Sequence, residues 1–190
     1  MKIETERLII TEFTEDMAQA VHENSLDEDN RRFVPDEVFE TVEDAREAVE
    51  FLMSRYSGTE GPFTYPVLIK DSGENIGYVQ LVPLEEGIWE IGYHIAKKHT
   101  GKGYASEAVR ASLPVMADAV GINEIYGVCL SDNAASKQVL KKCGFEQVFE
   151  GTGDYQGEKR NIFKAVWKKP FRYRIRHLVR WSAPITVLTI

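Results

Sequence analysis

Trp89-Glu90-Ile91-Gly92-Tyr93-His94-Ile95-Ala96-Lys97-Lys98-His99-Thr100-Gly101-Lys102-Gly103-Tyr104-Ala105 changes its hydrophobic period midway. The first seven residues alternate, with Trp89, Ile91, Tyr93 and Ile95 on one side and Glu90 and His94 on the other, which predicts a strand. From Ala105 the spacing turns helical through Ala108, Val109, Ser112 and Leu113. Between the two lie Gly101 and Gly103. Glycines at such a junction let main-chain N–H groups approach a ligand with no Cβ in the way, and a helix start adds positive partial charge. The unit is therefore a natural cradle for a phosphate or pyrophosphate and points to a nucleotide-like cofactor.

Three known loops compete for this reading. A P-loop fails for want of its first glycine, and because Gly103 stands where Ser or Thr must follow the lysine. A dinucleotide fingerprint accepts Gly101 and Gly103 and finds an acid about twenty residues on at Glu124, but meets Ser106 at its third glycine. That motif usually opens its domain, whereas a long segment precedes this one, so it stands as the runner-up. The third reading covers more of the chain. Lys98-His99-Thr100-Gly101-Lys102-Gly103-Tyr104-Ala105 resembles the acyl-CoA pyrophosphate loop of the GNAT acetyltransferases, Arg/Gln-x-x-Gly-x-Gly/Ala. Asn133-Ala134-Ala135-Ser136, followed by Val139-Leu140 and Cys143-Gly144-Phe145, resembles their second signature. Thr5-Glu6-Arg7-Leu8-Ile9-Ile10 and Glu90-Ile91-Gly92-Tyr93 are similar to the RimJ/RimL-like branch, which acetylates protein N-termini and assorted small amines. The resemblance spans about residues 3–167. It departs at Lys98, which keeps a donor but lacks the planar fork of arginine.

The resemblance implies an α/β (or α+β) fold with a mixed, largely antiparallel sheet, two of whose neighbouring strands splay apart to hold acetyl-CoA. The elements read from the chain agree with it. Strands are expected over 3–10, 64–70, 75–82, 124–130, 146–150 and 160–167, besides the one quoted above. Helices are expected over 16–25, from Thr41 to about 56, after the glycine loop to about 119, and over 134–143. Thr41 with Asp44 forms a capping-box-like start, residues 26–38 read as loop or short turns, and Pro114 should kink or restart its helix. Gly144 is the expected left-handed cap, with Phe145 packing back.

With 190 residues, 43% apolar and 28% charged, the chain can close one full core. Residues 1–169 are expected to form that domain and 170–190 a tail. The N-terminus enters charged, strand-like sequence directly, so no leader is expected, and no apolar run reaches the roughly twenty residues of a membrane helix. Cys129 and Cys143 lack metal-ligand spacing, no metal is expected, and reduced cysteines suit a cytoplasmic protein. The net charge of −7 conceals a split. Residues 1–167 carry 17 basic against 30 acidic residues, and the remainder is purely basic. An acidic body excludes nucleic acid as partner and suits a cationic amine. In the tail, Phe171, Tyr173 and Ile175 alternate with Arg172, Arg174 and Arg176, which suits docking on the body or a homodimer contact more than a membrane.

Acyl transfer to an amine needs a positioned thioester, a deprotonated amine, a stabilised oxyanion and a proton for the thiolate. Glu90 matches the family's acidic strand position and is the candidate base, its pKa raised by an apolar wall. His94, on the same face, either relays the proton or is satisfied by backbone contacts. Main-chain N–H groups near His94, Ile95 and Ala96 are candidates for the oxyanion and the pantetheine amides. Lys98, His99, Thr100, Gly101, Lys102, Gly103, Tyr104 and Ala105 would line the pyrophosphate cradle. The resemblance gives Asn133 to the pantetheine arm, alongside a helix N-cap role, and sets Ser136 facing the thioester sulfur. Many GNAT enzymes carry a general-acid tyrosine where this chain has Leu140, which makes Ser136 the best remaining proton donor, with water behind it. Cys143 reads as core. Phe33, Phe39 and Tyr65 are candidate walls of the acceptor pocket, and Asp36, Glu37 and Glu40 candidate amine attractors. The leading reading is an N-acetyltransferase that uses acetyl-CoA and a primary amine, on a protein N-terminus or a small molecule, in a ternary complex. A catalytically silent acyl-CoA sensor is the alternative.

Overall fold

Alternating apolar residues in the middle of the chain pair into a sheet, and the helices between them cover its two faces. The computed structural model describes residues 1–84 and 87–170. The chain runs β1 (Ile3–Glu4), β2 (Leu8–Ile10), α1 (Ala18–Ser25), α2 (Glu28–Phe33), α3 (Val42–Arg55), β3 (Phe63–Ile69), β4 (Asn75–Pro83) and β5 (Trp89–Ile95). It continues through α4 (Tyr104–Val120), β6 (Glu124–Leu130), α5 (Ala134–Lys142), β7 (Glu146–Tyr155) and β8 (Glu158–Lys168). The sheet order is β1-β2-β3-β4-β5-β6-β8-β7. Every neighbouring pair is antiparallel except β5 with β6, so the fold is α/β with a mixed, largely antiparallel sheet, as the sequence predicts.

The register sorts the side chains. Val79, Leu81, Ile91 and Tyr93 share one face, while Tyr78, Gln80, Glu90, Gly92 and His94 share the other. On the first face α4 packs Ala108, Val109, Leu113 and Ala117 into the core, and α5 adds Leu140. Burial of these side chains is the main stabilising force, at about 1.5–3 kcal/mol for each large one. The other face is roofed by α1 and α3, which together with β3 and β4 enclose a cavity of about 290 Å³. Thr41 starts α3 with a complete capping box: its Oγ1 accepts from Asp44 N at 3.1 Å, and Asp44 Oδ2 accepts from Thr41 N at 3.0 Å.

Four expectations need correction. Residues 3–10 do not form one strand; β1 turns back on β2 because Thr5 Oγ1 takes the Leu8 N–H at 2.9 Å, and Thr5 N donates to Leu8 O. The segment 26–38 contains α2, which lacks an apolar period but is capped by Asp27 Oδ1 on Asn30 N at 2.8 Å. Pro114 does not restart α4, which runs unbroken for 17 residues. Its ring is buried beside Leu113, which packs in the core, and the long helix absorbs the one lost hydrogen bond. β7 and β8 extend to a two-residue turn at Gln156-Gly157, both at positive φ. β7 is exposed along most of its length, so it carries no alternation to read. The expectations for the tail from Phe171 onward lie outside the described residues. Among those described, no helix is long and apolar enough to cross a membrane.

Candidate active site

The parallel pair β5–β6 is joined at a single position, Glu90 opposite Tyr126. Towards their C-terminal ends the strands part, so the main-chain edge of β5 from Gly92 to Ile95 faces a V rather than a neighbour. β5 leads into α4 and β6 into α5, which brings both helix N-termini to the open end of that V.

At the α4 end, a short 3-10 turn over Lys97–His99 leads through Thr100 to Gly101 and Gly103 at φ 76° and 84°, a conformation that glycine adopts without strain. No side chain caps α4, so the N–H groups of its first turn are open, and a Cβ on Gly101 would meet nothing within 4 Å. This is a fit for a diphosphate. Thr100, Lys102, Tyr104 and Ala105 surround the bare amides. Lys98 points its ammonium at Glu74, 2.8 Å away, and His99 is buried with Nε2 at 3.1 Å from the same carboxylate. These two therefore offer the loop their backbone rather than free cations. Arg7, which the sequence offers only within the N-terminal resemblance, holds the loop from behind. Its guanidinium grips Glu107 Oε2 at 2.6 and 2.7 Å, donates to Lys102 O at 3.0 Å and lies 4.6 Å from the Tyr104 ring centre.

Glu90 stands at the crotch of the V. Burial pushes its carboxyl up to about 7, against the opposing pulls of the Lys164 cation and the Val128 N–H. A carboxylate in that range is a competent base near neutral pH. On the opposite face, Tyr93 Oη lies 2.7 Å from Ser136 Oγ and 3.1 Å from Ser136 O. Asn133 caps α5 by accepting from Ser136 N at 2.9 Å. Leu140 is fully buried against Gly127, where a Cβ would come within 2.5 Å of its Cδ2, so the tyrosine position of the family is here core. Tyr93 enters the sequence reading only through the strand alternation and the Glu90-Ile91-Gly92-Tyr93 resemblance. Its hydroxyl, on a strand bordering the Asn-x-x-Ser helix, was the available signal. Cys143 is buried as expected, with burial raising its thiol to about 11.

On the acceptor face, Asp36, Glu37 and Phe39 line the cavity with Gln80 and His94. Glu37 Oε1 accepts from Gln80 Nε2 at 2.8 Å, and Gln80 Oε1 accepts from Thr64 Oγ1 at 3.0 Å. Gly92 makes room for this chain, since a Cβ there would fall 2.7 Å from the Gln80 side chain. Burial pushes Glu37 up to about 7, partly offset by Gln80. The His94 imidazole is held below its usual range by burial, with Asp27 opposing, and its Nε2 is 3.4 Å from Asp27 Oδ2. Three acceptor residues fall elsewhere. Tyr65 shares the Val79 face and stacks on Tyr56 in the core, at 5.2 Å between ring centres. Glu40 pairs with Arg31 at the surface. Phe33 contributes its carbonyl, which accepts from Tyr155 Oη at 3.1 Å.

Residues 7–146 match the acetyltransferase (GNAT) domain family. The chain is 32% identical over 148 residues to the uncharacterized N-acetyltransferase YnaD of Bacillus subtilis (strain 168), over 77% of this chain and 84% of that one. A GNAT-family acetyltransferase from Bacillus anthracis superposes with a TM-score of 0.75 at 27% identity, over 88% of this chain and 98% of the other. RimL, a ribosomal L7/L12 alpha-N-protein acetyltransferase solved in complex with coenzyme A, reaches a TM-score of 0.75 at 18% identity, over 89% and 98% of the two chains. That likeness is one of fold.

Proposed function

The chain belongs to the GNAT acetyltransferase family, and from that premise we propose that it moves the acetyl group of acetyl-CoA onto a primary amine by direct attack in a ternary complex. The observation that carries this reading is the V itself: two strands joined only at Glu90 and Tyr126, with an uncapped glycine-started helix at its open end. Acetyl-CoA supplies a thioester carbonyl open to attack and a thiolate as leaving group. The open amides of residues 101–105 hold the diphosphate, and the free edge of β5 at His94, Ile95 and Ala96 pairs with the pantetheine amides. A main-chain N–H of the same edge steadies the carbonyl oxygen. Glu90, ionised, takes the proton of the acceptor ammonium, directly or through water. Ser136, backed by Tyr93, returns a proton to the sulfur, and Asn133 keeps Ser136 in place by capping its helix.

Replacing Glu90 by Gln tests this. The expected outcome is a fall in kcat of about a hundredfold or more, the usual worth of a general base, with the affinity for coenzyme A unchanged by titration. In the wild type, kcat at saturating amine should rise with pH as a group of apparent pKa about 7 ionises, and that limb should vanish in Glu90→Gln but persist in Glu37→Gln. Retained turnover with the limb intact would remove Glu90 from the role.

A further inference from the structure

The cavity under α1 and α3 has more in it than a base needs. Glu90 stands beside it and is not part of its wall. Carboxylates and an amide oxygen make up much of its polar wall, beside the Tyr78 hydroxyl. Glu37 gives one oxygen to Gln80 and has the other for a ligand. Asp36 adds a second carboxylate to the wall. Asn30, only 2% exposed, donates its amide hydrogens to Ser25 O at 2.9 Å and Glu37 O at 3.0 Å, which leaves its buried Oδ1 without a partner. The one titratable nitrogen on the wall, His94, faces Asp27. Phe13, Val49 and Leu52 make much of the remaining surface apolar. A chamber with two carboxylates, an unpaired amide oxygen and apolar sides disfavours anions and suits an aliphatic chain ending in a protonated nitrogen.

The reacting nitrogen is a different group. Gln80, which holds Glu37, stands opposite Gly92, two residues along β5 from Glu90. At about 3.3 Å per residue the two carboxylates answer to strand positions about 7 Å apart, and neither is among the charges that perturb the other, so each has room for its own ammonium. We infer that Glu37 anchors the far end of the acceptor and that the acceptor is a linear diamine: one nitrogen at Glu90 for acetylation, and the second, protonated, held by Glu37 and Asn30 Oδ1. This inference rests on the acyl-transfer reading above and names the substrate class of the same site. A spacer of about four to six carbons spans the distance at ordinary bond lengths.

The test measures coenzyme A release by the whole protein from acetyl-CoA, with linear diaminoalkanes against monoaminoalkanes of matched length. The wild type should favour the diamine in kcat/KM by about tenfold or more, the worth of one charge-assisted hydrogen bond in a dry site. The preference should peak at one chain length and lie mainly in KM. In Glu37→Gln the ratio of diamine to monoamine should collapse to about one, with coenzyme A affinity and melting temperature as folding controls. Equal rates for the two classes, a ratio that survives in Glu37→Gln, or no turnover of either class would overturn the inference. The wild-type series decides by itself if the variant does not fold. Turnover without a diamine preference leaves the acyl-transfer reading standing, whereas failure to bind acetyl-CoA would overturn that reading instead.

Discussion

In the proposed mechanism Ser136 and Tyr93 make good a missing side chain from another element. Leu140 fills core space against Gly127 and offers no proton, so the donor must come from elsewhere. Tyr93 reaches Ser136 from β5, and burial raises its phenol far above the physiological range, so it stays protonated. The phenol holds the Ser136 oxygen in place, while the proton that Ser136 passes to the thiolate is replaced by the one the attacking nitrogen sheds, so the two residues act as a unit. Tyr93→Phe should lower kcat by about tenfold, one hydrogen bond's worth of transition-state stabilisation, with little change in the acetyl-CoA KM. Ser136→Ala should cost more, and the double variant no more than Ser136→Ala alone, since residues acting as a unit are not additive. Steady-state kinetics of the three variants decide it; additive losses would mean that Tyr93 only packs.

Arg7 works between elements: it sits beside the β1–β2 turn and clamps the start of α4 through Glu107 and the Lys102 carbonyl. The loop it holds is the proposed diphosphate cradle, so Arg7→Ala should raise the acetyl-CoA KM severalfold while kcat changes little. Arg7→Lys should rescue poorly, because a point charge cannot reproduce the fork. Isothermal titration with coenzyme A would show the same loss directly. This clamp joins residues a hundred positions apart, and that distance explains why the sequence did not show it. What could be read was local: the period change at Gly101, the capping box at Thr41, the Asn133 cap and the alternation that sets Glu90 opposite Tyr93. What could not be read depended on distant partners. Lys98 looked like a phosphate donor until Glu74 came beside it, and Tyr65 looked like a pocket wall until its register set it on the core face. α2 and β7 were missed or shortened because one is polar throughout and the other exposed, and neither carries a hydrophobic period. In the cavity, Gln80 reaches the Glu37 side chain from 43 positions away, a partnership that no spacing encodes.

Function and stability pull against each other across the molecule. The sheet separates a fully packed side, under α4 and α5, from a side where α1 and α3 leave a chamber and two carboxyls are deprived of water. Glu37 and Glu90 each rest near 7 rather than the unfolded 4.5, with burial the first cause in both. Between those values the folded chain binds more protons than the unfolded one, so each group's contribution to stability falls as pH rises from about 4.5 to 7 and stays low above it. The shift corresponds to roughly 3 kcal/mol per group at most. Other carboxylates move the opposite way, Glu74 being lowered by Lys98 and His99, so the wild-type melting curve by itself mixes both signs. The difference between variant and wild type isolates the two groups. Glu37→Gln and Glu90→Gln should melt close to the wild type at pH 5, where the carboxyls are largely neutral in the fold. At pH 8, where the wild type must hold buried charge, each variant should melt several degrees higher, at about 2–4 °C per kcal/mol for a chain of this size. The gain should accompany the loss of turnover in Glu90→Gln and of diamine preference in Glu37→Gln. Differential scanning calorimetry at the two pH values measures it, and variants whose advantage does not grow with pH would show that these carboxyls are better solvated than their surroundings imply.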